Sequence, residues 1–398
     1  MFKLAWRNLR RNPRRTAITS AAIGFAVFLI TFMLSIEHGT YRYTENYATG
    51  IWNGKARIFR KGYFQKETLS RSFKPSPELI SLLRGSGLEW CLRITGFGLV
   101  SFGDKTYGAS ITGLQPSREI SKIRNKILRG RFLRGRGEAV VGWRLARNLG
   151  VSPGERVAVL VQGRDGSLGA KLFDVVGVFR TGVIDLDREK VLISLSDADE
   201  LFSMGGRVTS VVLYSERDFE EKIGPIEEAL GGELEIIPWQ KMMPELLEMI
   251  DFDRAGAYTM YLILLLVVIF GLLNTMLMAA VERRKEIGVM RAVGIPKGKI
   301  GLLLAEESLL TSLAGVVLGE VLSLPLLLYF HSHPIKLGGK MAEVYESFQF
   351  APVMPALLSW EIFAVVGAGV LLLSLFVAIF PVARVLREDL AHQLRFEK

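Results

Sequence analysis

The stretch Val281-Glu-Arg-Arg-Lys-Glu-Ile-Gly-Val-Met-Arg-Ala-Val-Gly294 is a charged, helix-compatible segment wedged between two long apolar runs of a 398-residue chain. The run that leads into it, Ala255 to Val281, carries no charge. Its length exceeds the roughly 20 residues needed to cross the hydrocarbon core of a bilayer. A short charged helix therefore sits where a membrane span ends. Ile287, Met290, Val293 and Ile295 give it an apolar side, while Glu282, Arg283, Arg284, Glu286 and Arg291 supply groups suited to a protein partner.

Three further apolar segments accompany the first: Ala17 to Ile36, about Leu302 to Phe330, and Ile362 to Ala383. The expected fold class is a membrane protein with four transmembrane α-helices and a large extracytoplasmic α+β domain inserted between the first and second helices. The polar block over residues 37–254 has the size of one or two ordinary domains. Orientation follows from Lys and Arg in the short connections, because positive loops stay cytoplasmic while long domains translocate regardless of charge. Residues 1–16 hold Lys3, Arg7, Arg10, Arg11, Arg14 and Arg15 with no acid, and residues 282–299 hold six basic residues against two acidic ones. The 331–361 loop has only Lys336 and Lys340. Residues 1–16, 282–299 and 384–398 are thus expected in the cytoplasm, with 37–254 and 331–361 outside. The spans read as 17–36, 255–281, 302–330 and 362–383.

Phe2, Ala5, Trp6 and Leu9 share one helical face and Lys3, Arg7, Arg10 and Arg11 the other, the pattern of a helix lying in the headgroup region. A cleaved signal peptide is the rival reading of residues 1–36. The apolar run is long for a signal, and Glu37-His-Gly-Thr-Tyr41 offers no small-x-small cleavage pattern, so a retained anchor is expected. The net charge is +10, and much of the basic excess flanks the spans, where anionic lipid is a simpler partner than nucleic acid. No aromatic-interleaved basic motif favours RNA or DNA. Cys91 is the sole cysteine, so an intrachain disulfide is excluded.

Between Lys55 and Ile237 short β-type runs alternate with helix-compatible segments. Strands are expected at Ala56–Phe59, Ala109–Thr112, Arg156–Val161, Leu172–Phe179, Lys190–Ile193 and Thr209–Tyr214. Helices are expected at Pro77–Leu83, Gly142–Asn148, Ser196–Phe202 and Asp218–Leu230. Composition shifts near Gln115-Pro116 and Gly205-Gly206 mark residues 116–205 as an inserted subdomain. Residues 118–136 carry eight Lys or Arg and one Glu, which reads as a solvated helix and turn before it reads as a contact for lipid headgroups or an acidic partner.

A phosphate-binding loop needs Gly-x4-Gly-Lys-Ser/Thr, so that backbone amides wrap the phosphates and the hydroxyl reaches magnesium. The nearest approach, Gly294-Ile-Pro-Lys-Gly298-Lys-Ile300, is one residue short, has no hydroxyl and includes Pro296, which lacks an amide hydrogen. Neither nucleotide hydrolysis nor a cofactor is expected on this chain. His331-Ser-His333 is an incomplete ligand set, so no metal is expected. No Gly-x-Ser-x-Gly elbow or His-Glu-x-x-His pattern occurs, and no catalytic residue is assigned.

In the third span Glu320 follows Glu307 at a distance of roughly 20 Å along a helix, which places it deep in the membrane. A charge there costs about 3 kcal/mol on insertion scales. Two readings stand for Glu320: a substrate or gating contact, or a protonated or capping Glu nearer the outer surface if Pro325 bends or ends the helix. Gly315 and Gly319 form a small-x3-small pair that lets two helices approach closely, within the four-helix unit or between two chains.

Trp6-Arg-Asn-Leu-Arg-Arg-Asn-Pro-Arg-Arg-Thr16, Asn274-Thr-Met276 followed by Glu282 to Gly294, and Glu307 with Gly315 and Gly319 occur in this order. Together they resemble the permease subunits of ATP-binding-cassette transporters related to the macrolide exporter MacB, the division protein FtsX and the lipoprotein-releasing permeases. Leu128-Arg-Gly-Arg-Phe132, Glu138-Ala-Val-Val-Gly-Trp-Arg-Leu-Ala146, Val175-Val-Gly-Val-Phe-Arg-Thr-Gly182 and Ser194-Leu-Ser-Asp-Ala198 resemble the periplasmic core domain of the exporter and lipoprotein-releasing branches. Thr181-Gly-Val-Ile-Asp-Leu-Asp187 leans toward the lipoprotein-releasing branch. Pro381-Val-Ala-Arg384 resembles the family's exit from the fourth span, although the usual second proline of the tail is missing.

The resemblance implies two four-span subunits, identical or paralogous, on a cytoplasmic ATPase dimer that holds ATP and magnesium. Glu282, Arg283, Arg284, Glu286, Gly288, Arg291 and Gly294 would serve coupling to that ATPase, and stalk helices near residues 37–50 and 240–256 would move the external domains. Glu307 and Glu320 would be intramembrane or cleft residues. The implied substrate is a lipoprotein or other amphiphile leaving the outer leaflet of the inner membrane, with a periplasmic chaperone or adaptor. Export of a peptide, drug or lipid by the same machinery and FtsX-like control of a periplasmic hydrolase are the alternatives.

Overall fold

The computed structural model describes residues 2–11, 13–216, 218–282, 284–347 and 352–387. In chain order the first elements are α1 (Phe2–Arg11), α2 (Pro13–Ala48), β1 (Ala56–Arg60), α3 (Pro77–Gly85), β2 (Glu89–Phe102), β3 (Lys105–Leu114), β4 (Ile127–Gly130) and β5 (Glu138–Gly142). There follow α4 (Trp143–Leu149), β6 (Arg156–Gln162), β7 (Leu168–Phe179), α5 (Ile184–Glu189), β8 (Lys190–Ser194), α6 (Leu195–Leu201), β9 (Ser210–Tyr214), α7 (Phe219–Ala229), β10 (Leu234–Pro238) and α8 (Trp239–Met242). The last are α9 (Pro244–Glu282), α10 (Arg284–Ala292), α11 (Lys297–Ser332), β11 (Ile335–Lys336), α12 (Gly339–Ser347), β12 (Val353–Met354) and α13 (Trp360–Arg387). They form two units, one from the described parts of Met1–Tyr41, Ile250–Lys336 and Val353–Lys398, the other from Arg42–Met249 and Leu337–Pro352.

The first unit is helical. Its long helices supply four candidate membrane spans, within Thr16–Asn53, Pro244–Met278, Lys297–Ser332 and Trp360–Phe380. Ile23 and Val27 of α2, Val268 and Leu272 of α9, Val316 of α11 and Val366 and Val370 of α13 form a common core. Lipid tails are as apolar as these side chains, so close van der Waals contact has to hold the helices together. Gly315 and Gly319 provide it, and they do so against α2 of the same chain. A Cβ at Gly319 would lie 2.5 Å from the Gly24 carbonyl oxygen and 2.7 Å from the Val27 Cβ, and one at Gly315 would lie 2.7 Å from the Ile23 Cβ. Ser20 Oγ adds a hydrogen bond to the Thr311 carbonyl at 3.0 Å. Gly319→Leu is therefore expected to force α2 and α11 apart at a cost of about 1–3 kcal/mol or more. Unfolding of the purified protein in detergent reads this directly, and a variant as stable as the parent would refute the contact.

Pro325 does not end its helix, since α11 runs through it to Ser332. The connection after α11 is ordered in part: β11 and β12 pair antiparallel, and the Leu357 amide then donates to the Ser35 carbonyl of α2 at 2.8 Å.

The second unit is built on a mixed sheet in the order β10-β1-β9-β2-β3-β8-β5-β7-β4. β6 pairs with both β2 and β7, which closes a ring of β2, β3, β8, β5, β7 and β6. Closure removes exposed strand edges. The inner face packs Ile94, Val100, Ile111, Val159, Phe173 and Val191 into one core with Leu145, Ala198 and Phe202 from the α4 and α6 segments. Local chemistry starts the helices. Ser76 accepts the Leu79 amide at 3.1 Å ahead of Pro77, and Ser194 accepts the Asp197 amide at 3.0 Å.

The expected strands and helices are found with ends displaced by a few residues, but β2, the longest strand, has no counterpart among them. It carries Arg93, Gly96 and Gly98, which break the usual strand composition. Residues 116–205, expected as an inserted subdomain, contribute β5 to β8 to the same ring as β2 and β3. Non-local hydrogen bonding joins what composition separates.

Candidate coupling site

The charged stretch folds as α10, a tight turn and the start of α11. Gly294 has φ 91°, in the left-handed region that glycine enters without a Cβ clash. The Ile295 amide donates to the Met290 carbonyl at 3.0 Å and the Gly294 amide to the Arg291 carbonyl at 3.0 Å. These are the two bonds of a Schellman cap. Ile287 and Ile300 are buried, with Met290 and Ile295 packed against them, so the cap folds the apolar side of α10 onto the first turn of α11. Val293, expected on that side, is 78% exposed instead, because the helix ends at Ala292 and the turn swings it outward.

The opposite side is a stripe. Glu282, Glu286, Val289 and Val293 are all exposed, at spacings of four, three and four residues. Glu286 and Val289 share one face of α10, while Glu282 ends α9 and Val293 lies in the turn after α10. Two exposed valines thus accompany two carboxylates on this surface. Val289 escaped sequence reasoning, and its signal is the i, i+3 relation to Glu286. Arg291 is half-buried and Gly288 buried, Arg283 lies outside the described residues, and α10 begins at Arg284.

Glu286 also accepts from Arg11 of α1, with Nη1 3.0 Å from Oε1 and side chains 72% and 45% exposed. Asn8 Nδ2 donates to Glu307 Oε1 at 2.6 Å, and Ala5 is buried. The amphipathic helix α1 thus joins α10 and α11, and Leu4 and Trp6 point outward. Glu320 lies deeper, half-buried, with Oε1 2.8 Å from where a Cβ on Gly367 of α13 would sit. One acid that sequence reasoning passed over is Glu306, whose Oε2 is buried without a hydrogen-bond partner among the described residues.

Two further polar pairs tie α2 to α9. Tyr41 Oη donates to Asp253 at 2.5 Å, with the Arg254 guanidinium 5.4 Å from the Tyr41 ring centroid, and Tyr261 Oη donates to Glu37. The partners are 212 and 224 residues apart, so nothing local announces them.

In the second unit three of the eight cations in the basic run 118–136 meet acids outside the run. Arg131 meets Glu138, Arg136 meets Asp197 and Glu200, and Lys122 meets Glu216. Its single acid, Glu119, goes inside to pair with Arg93, both side chains fully buried. His331 Nδ1 lies 2.9 Å from the Ala356 carbonyl and His333 stacks on Tyr329, which gives both histidines at the end of α11 a packing role.

Residues 16–221 match the MacB-like periplasmic core domain, and residues 258–390 match the FtsX-like permease C-terminal domain. The chain belongs to the MacB/FtsX superfamily of ABC transporter permeases. The permease is 22% identical over 326 residues to the lipoprotein-releasing system transmembrane protein LolC of Neisseria meningitidis serogroup B, covering 76% of this chain and 77% of that one. It is 23% identical over 390 residues to an uncharacterized ABC transporter permease of Methanocaldococcus jannaschii, covering 95% and 92%. The periplasmic region of MacB from Actinobacillus actinomycetemcomitans superposes with TM-score 0.36 and 16% identity over 50% of this chain and 94% of that one. The permease is a multi-pass membrane protein, and its family works with an ATPase and with a second permease subunit.

Proposed function

We propose that this permease couples ATP hydrolysis by a separate cytoplasmic ATPase dimer, which holds ATP and magnesium, to movement of its extracytoplasmic unit. The movement releases lipoproteins from the outer leaflet of the inner membrane. The observation that carries the coupling half is that α10 exposes Glu286 and Val289, with Glu282 and Val293 exposed at its two ends, while its other side is locked to α11 by the Schellman cap. A helix held this way transmits force as a rigid body. Its charge-rich connection and residues 1–16 favour a cytoplasmic position for both. Closure of the ATPases would push α10, α11 would follow, and the Tyr41–Asp253 and Tyr261–Glu37 pairs would make α2 and α9 move as one stalk.

Glu307, joined to Asn8, belongs to this lever, and Glu320 against α13 belongs to the membrane cleft. The cargo half rests on the likeness to LolC across three quarters of the chain, with 76% covered. A second permease subunit and a periplasmic chaperone or adaptor complete the assembly.

Depletion of the permease, followed by proteomics of separated inner and outer membranes, tests the cargo. Lipoproteins should accumulate in the inner membrane. Unchanged lipoprotein distribution with new drug or peptide sensitivity would move the function to export, and a division or wall-hydrolysis defect alone would move it to control of a hydrolase.

A further inference from the structure

The outer face of the ring in the second unit carries two features side by side. Alternate residues of a strand point to one face. On β2 the outer residues are Cys91, Arg93, Thr95, Phe97 and Leu99, which run from a cationic cluster to a bare apolar patch.

The cationic cluster surrounds Trp52. Arg93 and Arg57 both donate to the Trp52 carbonyl, at 2.6 and 3.1 Å, and the Arg93 guanidinium lies 3.8 Å from the ring centroid. Lys190 Nζ lies 5.0 Å from the same centroid and donates to Ser110 Oγ at 2.8 Å. Glu119 is taken by Arg93, whose Nε is buried without a hydrogen-bond partner among the described residues. Among the described residues no carboxylate forms a salt bridge with Arg57 or Lys190. Burial, then the fields of Arg57 and Arg93, push the Lys190 ammonium down to about 7 despite Glu67 and Glu189 nearby. Arg57 and Lys190 are half-buried as whole residues, whereas the Arg93 side chain is fully buried.

The apolar patch starts one strand away. Ser110 sits opposite Lys190 on one side and Phe97 on the other. Leu99 then faces Leu160, Ala158 faces Leu172 and Gln162 faces Leu168 across the next strands. Phe97 is 60% exposed, Leu99 45%, Leu160 36%, Leu168 74% and Leu172 62%. Water-facing positions of a half-buried strand are ordinarily polar. A contiguous patch of this kind marks a binding surface.

We propose that this face binds an anionic amphiphile of the phosphate class, its head at Lys190, Ser110 and Arg57 and its apolar chain over Phe97, Leu99, Leu160, Leu168 and Leu172. An apolar partner alone leaves the cations uncompensated, and a free oxyanion alone leaves the leucines in water. Only a ligand that joins both chemistries meets both. Two cations and a hydroxyl clustered beside Trp52 suit the several oxygens of a phosphate headgroup. The site is independent of which cargo the permease moves.

The test uses the full-length protein in nanodiscs of zwitterionic lipid, with an environment-sensitive dye on a Gln162→Cys variant. Gln162 is exposed on the patch, and Cys91 is buried and protected from labelling. Dodecyl phosphate, dodecyl maltoside and inorganic phosphate are titrated separately. Dodecyl phosphate should shift the dye saturably, dodecyl maltoside should bind about tenfold more weakly or worse, and inorganic phosphate should compete without shifting the dye. Lys190→Gln should weaken dodecyl phosphate by about tenfold and leave dodecyl maltoside unchanged. Leu172→Asn, a surface change that spares the core, should weaken dodecyl phosphate as well. Equal binding of the two detergents, or indifference to both substitutions, overturns the proposal. So does a photoreactive group at Gln162 that cross-links in native membranes to polypeptide and not to lipid, which would assign the face to a protein partner.

Discussion

Glu119→Gln is expected to destabilise the second unit by about 3–5 kcal/mol, enough to unfold much of it at growth temperature. Glu119 and Arg93 are fully buried, and Arg57 and Lys190 cluster with Arg93 around Trp52. Burial alone would raise the Glu119 pKa, but the Arg93 guanidinium outweighs it and holds the carboxyl below its ordinary range. A carboxylate depressed in the folded state contributes stability above its unfolded pKa and loses it only as pH falls through the folded value. The parent protein should therefore keep this contribution throughout the neutral range. Glu119→Gln removes it across the neutral range and leaves Arg93, with Arg57 and Lys190 clustered near it, without its buried counter-charge. Thermal unfolding and limited proteolysis of the purified protein are the measurements. Arg93→Met combined with Glu119→Leu should recover part of the loss, because replacing both members of a buried pair costs less than stranding one. A Glu119→Gln protein with parental stability would show that solvent already compensates the cluster.

Glu286→Lys is expected to abolish coupled transport while leaving the fold intact. The Arg11–Glu286 pair is exposed, so its loss costs at most about 1 kcal/mol. Reversal of charge in the middle of the exposed stripe costs much more at a docked interface, where like charges brought together repel by several kcal/mol. Co-purification of the ATPase and stimulation of its hydrolysis by substrate should both fall at least about tenfold. The double change Arg11→Glu with Glu286→Arg separates two roles for the carboxylate. It restores the bridge between α1 and α10, so recovery of coupling would confine Glu286 to positioning α10. Continued failure would assign it to the ATPase. Full transport by Glu286→Lys alone would remove α10 from the coupling path.

The helix α10 and its turn were legible because their signals are local. A charged segment beside a long uncharged run, a glycine where the chain must turn left-handed, and apolar residues at helical spacing all lie within residues 255–300. Val293 was misplaced because periodicity extends a pattern past the point where the cap ends the helix. The pairing of Gly315 and Gly319 with α2 was beyond reach, since a small-residue motif does not say which helix approaches. The same holds for Tyr41 with Asp253, Tyr261 with Glu37 and Asn8 with Glu307, each joined across more than half of the chain. In the second unit an alternating strand such as β6 announced itself. β2 did not, because its interior holds a buried arginine and two glycines that only the surrounding ring explains.

From the sequence alone came the number of spans, the size of the polar block, the charged helix between the second and third spans and the family likeness, because hydropathy, charge bias and motif spacing are properties of neighbouring residues. The tertiary structure decided that Glu119 of a basic run goes inside to Arg93 and that residues 116–205 close one ring with β2 and β3. It also decided that the outer face of that ring is cationic at one end and apolar at the other. Those outcomes depend on which strands hydrogen-bond side by side, and strand pairing is settled by long-range packing that no window of sequence contains.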